Sequence, residues 1–442
     1  MADRYDCIVI GAGVSGCSFS LSLAETGYNL LLLESNKFEN VGHDWWDAVE
    51  ESVFSELSIS ALTPKPNELF KKSPITFYTP RIKKIGATTP SDLNIHRKKY
   101  SQRLINLVKD RGIEALDSTE VQKPIFSDST LTGVKVKSKK DNEIKKYTAN
   151  LIIDASGMNA VIRTQMPNEF NWNLDHDHGD IMIAYREIRN KINENEREFK
   201  TYFGYKNGIF WENHFQEGLV DFFGGIPYKE NMADPKKIVM DLIKKNQNAG
   251  DKVVMGGYTA KLPIRRCLDS FIDDNLMIIG DAAYQTNPIN GCGVASSLIA
   301  SKIASEVAIK ALESGNLSKD QLWEYNLRYI RKRGTAFAAL DILKKFLITL
   351  SPNDIDYLFE RKILKISDIE SGYDLKPINI AFFDLLGRVI RGFTRLNLLL
   401  QLNRIIKRSN YIRSIYNNYP EKFGDEFFSW QKKANNIFQR DF

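Results

Sequence analysis

Six residues, Gly11-Ala-Gly-Val-Ser-Gly16, restrict what this chain can fold into more than any other feature of its sequence. Before them, Tyr5-Asp-Cys-Ile-Val-Ile10 is short, apolar and β-branched, the pattern of a strand buried in a parallel sheet. After them the spacing predicts a helix over 14–26, ending near Gly27, and a second apolar strand over 29–34 closed by Glu34. Together these make a βαβ unit. Each glycine has its own reason to be there. Gly11 permits the tight turn from strand to helix, Gly13 lets a pyrophosphate approach the backbone, and Gly16 lets the helix lie close on the strand. The helix N-terminus offers unpaired N–H groups and positive partial charge to phosphate. Glu34 stands where a ribose hydroxyl would be bound. A glycine-rich turn of some other α/β protein is the bland alternative. The strand before, the helix after and the acid at the right distance count against it. On this motif alone the dinucleotide is NAD or FAD.

With 442 residues the chain is too long for one small core and should form two or three domains. Its 43% hydrophobic and 26% charged shares are those of an ordinary globular protein, so composition requires no long disordered tract. A net charge of +6 is a weak pointer to an anionic partner. The four cysteines (Cys7, Cys17, Cys267 and Cys292) are far apart, which gives neither a zinc site nor a disulfide scaffold and suits a reducing, cytoplasmic setting. No metal site is expected. The apolar run after Asp6 is too short for a secretory leader, and no stretch reaches membrane-spanning length, so any membrane contact should be peripheral.

Further along, a helix is expected over 98–111 and strands over 119–125, 131–138 and 145–153. From about 178 to 265 the pattern is mostly strand, with one helix near 235–247. Aromatics crowd there: Tyr202, Phe203, Tyr205, Phe210, Trp211, Phe215, Phe222 and Phe223. A strand over 276–280 precedes a small-residue helix over roughly 291–314. From 318 onward the chain reads as helical, with Trp323, Tyr325, Phe337, Leu340, Leu343 and Phe346 at helical spacing.

A second signal decides between the dinucleotides. Ile278-Ile-Gly280-Asp281-Ala-Ala283, followed by Asn287-Pro288-Ile-Asn-Gly291-Cys292-Gly293, resembles the second FAD fingerprint of the flavoproteins that include aromatic hydroxylases and geranylgeranyl reductases. The resemblance implies that Asp281, after Gly280, binds the ribityl chain. It places Pro288, Gly291, Cys292 and Gly293 beside the flavin, where a helix N-terminus would favour negative charge on the reduced ring. Asp154-Ala-Ser-Gly157, followed by Arg163, resembles the D-x-x-G segment of that group. Arg97 resembles its FAD-contacting arginine. Ser15 and Val121 complete the expected cofactor-binding set. A single dinucleotide fingerprint leaves no separate NAD(P)H domain, so the electron donor is unknown.

Almost the whole chain is similar to the archaeal geranylgeranyl reductase family, including Leu340-Asp-Ile-Leu-Lys-Lys-Phe-Leu347 through Ser351-Pro-Asn-Asp-Ile-Asp-Tyr357, a tail that simple aromatic hydroxylases lack. The resemblance implies hydride transfer from reduced flavin to an isoprenoid C=C bond, with a proton supplied to the second carbon. It also implies an apolar, prenyl-chain substrate in a long tunnel. The aromatic-rich region would supply that tunnel or, residue by residue, simply sheet core. Two departures bear on the substrate. The family cysteine is missing from Gly42-His43-Asp44-Trp45-Trp46-Asp47-Ala48-Val49, where Trp45 or Trp46 takes its place. Of the family's Y-x-W-x-F-P motif, aligned with Ile209 to His214, only Trp211 survives.

Candidate catalytic residues are therefore His43 and Asp44 as an acid/base pair, with Trp45, Trp46 and Trp211 near the substrate. Glu212 and His214 are a weaker pair. The alternative for each is a polar group satisfying its local backbone. Cys292 stands where the family has glycine, and a free cysteine there is a redox group or a small apolar residue.

Between Leu385 and Pro420 lie seven basic residues and no acid, interleaved with apolar ones such as Leu386, Val389, Ile390, Phe393 and Leu400. That pattern suits an anionic lipid surface, or a helical cap with a solvated basic face. Nucleic acid is disfavoured because no binding module is present.

The expected architecture is α/β with an α+β substrate domain. A discontinuous, Rossmann-like FAD-binding domain takes 1–60, 95–165 and 275–330. An antiparallel-sheet catalytic domain takes 61–94 and 166–274, and a C-terminal helical region takes 331–442. Besides the reductase, an FAD-dependent monooxygenase on an apolar or aromatic substrate and a non-catalytic flavin- or lipid-binding protein remain open. A halogenase is disfavoured by the lack of a W-x-W-x-I-P segment.

Overall fold

Ile10 pairs with both Leu33 and Asp154, and Asp154 pairs in turn with Ile278, so four chain segments leave one parallel sheet at the same edge. The structure, a computed structural model, describes residues 4–57, 59–70, 74–88, 92–167, 169–170, 172, 179–193, 198–215, 218–373, 375 and 382–439; the side chains of 371–373 and 382–386 are excepted. The sheet runs in the order Ile272–Asp273, Leu276–Ile278, Ile144–Asp154, Arg4–Ile10, Leu30–Leu33, Glu114–Leu116, with Thr130–Ser138 and Thr119–Ser127 folded antiparallel onto Ile144–Asp154. Its central strands are buried because helices cover both faces, which is why they read as unbroken apolar runs. Val14–Leu23 and Val294–Ser314 pack on each other over this sheet. The first carries Ser and Gly16 and the second Ser and Ala, small residues that permit the close approach.

A second sheet, nearly all antiparallel, runs Ala249–Pro263, Ile181–Lys191, Leu219–Pro227, Ile209–His214, Phe199–Phe203, Ile75–Tyr78, Lys84–Thr88. The helix Pro235–Lys245 covers one face, capped by the Asp234 carboxylate, which accepts from Lys236 N–H. Strand alternation divides the aromatics. Tyr202, Phe210 and Phe222 turn toward that helix and form core with Val239 and Ile243, with Tyr205 packed at its edge. Phe203, Trp211 and Phe223 turn to the other face and line a cavity. Phe215 packs on Trp46 and Phe70. The aromatic stretch thus divides between sheet core and cavity wall by alternate residues.

A small third sheet, Trp46–Val49, Leu93–His96 and Leu69–Phe70, ties the two large ones together. The helix expected over 98–111 spans Arg97–Asp110. The helices expected over 14–26 and 291–314 are shorter, Val14–Leu23 and Val294–Ser314. In the second case Gly280 to Gly293 is spent on turns, with Gly280, Tyr284 and Gly291 all at positive φ. Beyond Ser318 the chain is helical. Lys319–Tyr329 continues through a widened turn at Ile330–Gly334 into Thr335–Leu347, on which Leu396–Asn417 packs. Trp323, Tyr325, Phe337, Leu340 and Phe346 are buried, as their spacing requires. Among the described residues no helix is long and apolar enough to cross a membrane.

Candidate functional site

Open α/β sheets bind ligands beyond the C-terminal ends of their strands. Here that edge opens into a cavity of about 310 Å³ that extends onto the face of the second sheet. Its first half is made of turns: Gly13, Val14 and Ser15 from the glycine loop, Ala155 and Gly157 after Asp154, and Asp281, Thr286, Gly291, Cys292, Gly293 and Ser297 from the last parallel strand and its helix.

The surroundings of each glycine show what its missing side chain makes possible. At Gly13 an added Cβ meets nothing within 4 Å, so the missing side chain leaves backbone open to the cavity. Gly157, at φ +68°, is open in the same way. At Gly16 a Cβ would sit on the Gly11 carbonyl, and at Gly11 (φ +101°) on that of Ala155. At Gly280 (φ +70°) it would strike Ser15 Oγ. Gly13 and Gly157 therefore make room for a ligand, while Gly11, Gly16 and Gly280 let backbones meet.

Glu34 is buried at the adjoining end, where its carboxylate accepts from Ala12 N–H (2.9 Å) and Asn36 N–H (2.8 Å). Its carbonyl accepts from Thr119 N–H (2.8 Å), which brings Val121 to the same end of the sheet. Asp281 points its carboxylate at the cavity, held by Thr286 Oγ1 (2.9 Å), and burial raises its pKa. Asp154 differs. It is fully buried and takes Ile162 N–H (3.0 Å), Arg163 N–H (2.9 Å) and Ser156 N–H (3.2 Å), so it staples the loop that presents Gly157 rather than facing the cavity. Arg163 is buried against Tyr284 (3.1 Å). Pro288 lines a smaller apolar cavity of about 70 Å³ behind the loop, one that shares Met182, Phe203, Ile209 and Ile289 with the large one. An open backbone at Gly13, a helix N-terminus at Val294 and a half-buried carboxylate at Asp281 fit an extended dinucleotide such as FAD.

The other half is apolar: Ile75, Phe77, Met182, Ala184, Phe199, Phe203, Ile209, Phe223, Leu262 and Ile369. Between the halves stands a chain of charges that the sequence reading missed. Arg97 pairs with Asp47 (2.5 Å), Asp47 with Arg186 (3.4 Å), and Arg186 with Asp221 through two bonds (2.9 and 2.7 Å). Trp211 Nε1 donates to the same Asp221 carboxylate (2.9 Å) and stacks on Phe223 with ring centroids 3.8 Å apart. Although burial works against the Arg186 charge, Asp221 and Asp47 outweigh it and raise its pKa. Asn213 also lines this half, and its Oδ1 is buried with no hydrogen-bond partner among the described residues.

The expected His43–Asp44 pair does not form. Among the described residues no hydrogen bond joins the two side chains. His43 Nδ1 faces Tyr258 Oη (3.3 Å) instead, and the Asp44 backbone N–H donates to that same hydroxyl (3.0 Å). Trp45 stacks on both His43 (4.3 Å) and Tyr258 (4.9 Å). Burial, then the positive charges of Arg97 and Arg186, hold the His43 pKa down at about 4, with Asp47 opposing. His43, Trp45 and Trp46 line the cavity; Asp44 does not. Trp46 is buried against Phe70 and Phe215.

The weaker pair, Glu212 and His214, is turned away. They alternate with Trp211 and Asn213, so they occupy the opposite face, where Glu212 meets Lys200 (3.0 Å), Asn246 (3.0 Å) and His214 (3.9 Å). This pair is a structural contact under the covering helix. Cys292 does reach the cavity, and its thiol pKa is pushed far up by burial and then by Asp47. All four cysteines are free. Among the described residues no group of His, Cys, Asp and Glu could hold a metal ion.

No family model matches the chain. It is 28% identical over 446 residues to the digeranylgeranylglycerophospholipid reductase of Sulfolobus acidocaldarius, covering 98% of this chain and 97% of the relative. It is 25% identical over 390 residues to digeranylgeranylglycerophospholipid reductase 1 of Methanococcoides burtonii, covering 84% and 89%. Among solved structures it is similar to a geranylgeranyl bacteriochlorophyll reductase-like protein of Thermoplasma acidophilum, with a TM-score of 0.73 at 17% identity, covering 92% of this chain and all of that one. It is also similar to a flavin-dependent brominase, with a TM-score of 0.60 at 17% identity over 91% of this chain and 99% of that one. At those identities the solved structures show the fold alone.

Proposed function

We propose that this chain, a member of the archaeal geranylgeranyl reductase family, is an FAD-dependent reductase that saturates C=C bonds of an isoprenoid lipid. One observation carries the reading: a single cavity joins a dinucleotide-shaped half at the strand ends to an apolar half on the second sheet. FAD held there and reduced by an external donor would supply the hydride.

The residues of this chain do the rest. Gly13, Ser15 and the helix N-terminus would hold the pyrophosphate, with Gly11 and Gly16 shaping the turn that presents them. Glu34 and Val121 would hold the adenosine end, and Asp281 the ribityl hydroxyls. Arg97, Gly157, Gly291, Cys292 and Gly293 would surround the ring. The second sheet holds the apolar chain and excludes water, and Trp45, Trp46 and Trp211 wall the junction. His43 is neutral near pH 7. With Nδ1 accepting from Tyr258 O–H, it would give up its Nε2 proton as the Tyr258 proton passes to Nδ1, so the imidazole stays neutral and the Tyr258 oxygen takes the negative charge, steadied by the Asp44 N–H and by Arg97 and Arg186. A single dinucleotide fingerprint supports an external electron donor that docks transiently.

The test is incubation of the dithionite-reduced protein with a geranylgeranylated phospholipid. Mass gains of whole hydrogen pairs are expected. Unchanged lipid across several headgroups and free prenyl alcohols would sink the reading.

A second reading draws on the charges at the junction. Asp47, Arg186 and Asp221 suit a polar aromatic substrate and hence a monooxygenase. It predicts rapid reoxidation of the reduced protein by O₂ through a C4a-adduct absorbance, with hydroxylated product.

A further inference from the structure

Five large apolar side chains stand exposed along one short stretch of the helical region: Val389, Ile390, Phe393, Leu396 and Leu400. Phe393 is 70% and Ile390 63% exposed, where isolated apolar residues on a surface would need no explanation but a contiguous ridge does. The ridge forms a corner. Phe382–Gly392 ends at Gly392, a brief turn follows, and Leu396–Asn417 begins. The inner face of that last helix, Leu398, Ile405, Ser409, Ile412 and Tyr416, is buried, and Ser409 Oγ donates to the Ala339 carbonyl (3.0 Å). Its outer face therefore reads Leu396, Leu400, Arg404, Lys407, Tyr411: apolar at the corner, basic one to two turns later. At 1.5 Å per residue, Leu400 and Lys407 are separated by about 10 Å along the axis, the distance from the acyl boundary to the headgroup layer.

Among the described side chains the unpaired charge around the corner has one sign, because the acids there are each engaged: Asp368 by Arg388 (2.7 Å), Asp354 by Arg395 (2.6 Å), Glu360 by Lys83. Arg361, Lys362, Arg404 and Lys407 are exposed and form no ion pair among the described residues. A second copy of the chain is a poor occupant, because a two-fold contact would press these cations against themselves. The corner is also tied to the cavity. Arg388, next to Val389, grips Asp368 and the Ile363 carbonyl, and Ile369, adjacent to Asp368, lines the cavity wall.

We propose that the corner from Val389 to Leu400, with Arg361, Lys362, Arg404 and Lys407 around it, docks on an anionic lipid bilayer and holds the Ile369 side of the cavity at the membrane. The proposal deepens the lipid-reductase reading, on which its purpose rests; the docking itself requires no turnover.

The experiment is co-sedimentation of the full chain with vesicles of phosphatidylglycerol and phosphatidylcholine, against phosphatidylcholine alone, at low and high salt. Salt-sensitive binding to the anionic vesicles is expected. Ile390→Glu with Phe393→Glu, and separately Arg404→Glu with Lys407→Glu, should each weaken it by about tenfold or more. These side chains are exposed, so thermal melts and reduction of a soluble short prenyl alcohol without vesicles should be unchanged. Wild-type protein that ignores anionic vesicles at low salt, or variants that bind as wild type does, would overturn the proposal. So would a dimer in solution that the same substitutions dissolve. Loss of alcohol reduction by the wild type would instead overturn the reductase reading and leave vesicle binding standing.

Discussion

Arg186 and Asp221 are locked by two bonds, Nε to Oδ1 (2.9 Å) and Nη2 to Oδ2 (2.7 Å), at the point where the polar and apolar halves of the cavity meet. Both are almost wholly buried. A buried ion pair adds little net stability, but removing one partner strands the other charge. Asp221→Ala leaves Arg186 with the Trp46 carbonyl (2.7 Å) and, among the described acids it pairs with, only Asp47 at 3.4 Å, and takes the acceptor from Trp211 Nε1. We expect it to cost about 3–5 kcal/mol. Arg186→Met alone should be comparably costly. The double variant should cost clearly less than the sum of the two, as guanidinium denaturation of all four proteins would show. Additive losses would mean that the two side chains do not act as a pair.

Gly13 and Gly16 stand three residues apart and should respond in opposite ways. A Cβ at Gly13 meets open cavity, so Gly13→Ala should fold normally and yet lose flavin. A Cβ at Gly16 collides with the Gly11 carbonyl, which forces helix and strand apart, so Gly16→Ala should lower the melting temperature of the apoprotein itself. Flavin absorbance per chain and apoprotein melting, measured together, separate the two effects. Retained flavin in Gly13→Ala would remove that glycine from the pyrophosphate site.

Local pattern explains why some of this site was legible and some was not. Gly11, Gly16, Glu34 and Asp281 lie at strand ends within short motifs, where residue type and spacing fix the geometry. Arg186, Asp221 and Tyr258 come from three strands of the second sheet. Only their pairing, Tyr185 with Gly224 and Arg186 with Tyr258 and Phe223, brings them together, and no local spacing encodes it. The misplaced pair is different, because a signal was available. Trp211 at the substrate wall puts Glu212 and His214 one and three residues away, hence on the far face of any strand. His43 and Asp44 fail for a related reason: they lie in the bend before the strand Trp46–Val49, and the tyrosine that engages both lies more than two hundred residues on.

Cys292 lines the flavin half of the cavity, yet burial keeps its thiol protonated. Thiolate is the reactive form, so iodoacetamide should label Cys292 in the apoprotein more than about tenfold slower than a free thiol near pH 8. Cys292→Ser should retain flavin and turnover. Fast labelling, followed by loss of reduction in the serine variant, would make the thiol a participant in the chemistry rather than a small filler beside the ring.

His43 ties the pH response of the protein to its cavity. Its folded pKa, about 4, lies below the ordinary 6.5, first because it is buried and then because Arg97 and Arg186 repel its positive charge. The sign follows directly. Between those two values the unfolded chain binds a proton that the folded chain refuses, so acid favours unfolding. The contribution is fully present above about pH 6.5 and is lost as the pH falls toward 4. The guanidinium midpoint of the wild type should therefore drop across that window. His43→Gln, which keeps a polar group of similar reach but cannot titrate, should drop less. Tyr258→Phe removes the hydroxyl from His43 Nδ1 and leaves the burial unchanged. It should keep the acid sensitivity of folding while slowing the proton-dependent step of reduction, visible as slower flavin reoxidation by the alkene with a larger solvent isotope effect. Equal pH slopes for wild type and His43→Gln would show that this histidine is solvated, and it would then have no claim to hold the proton in a dry cavity.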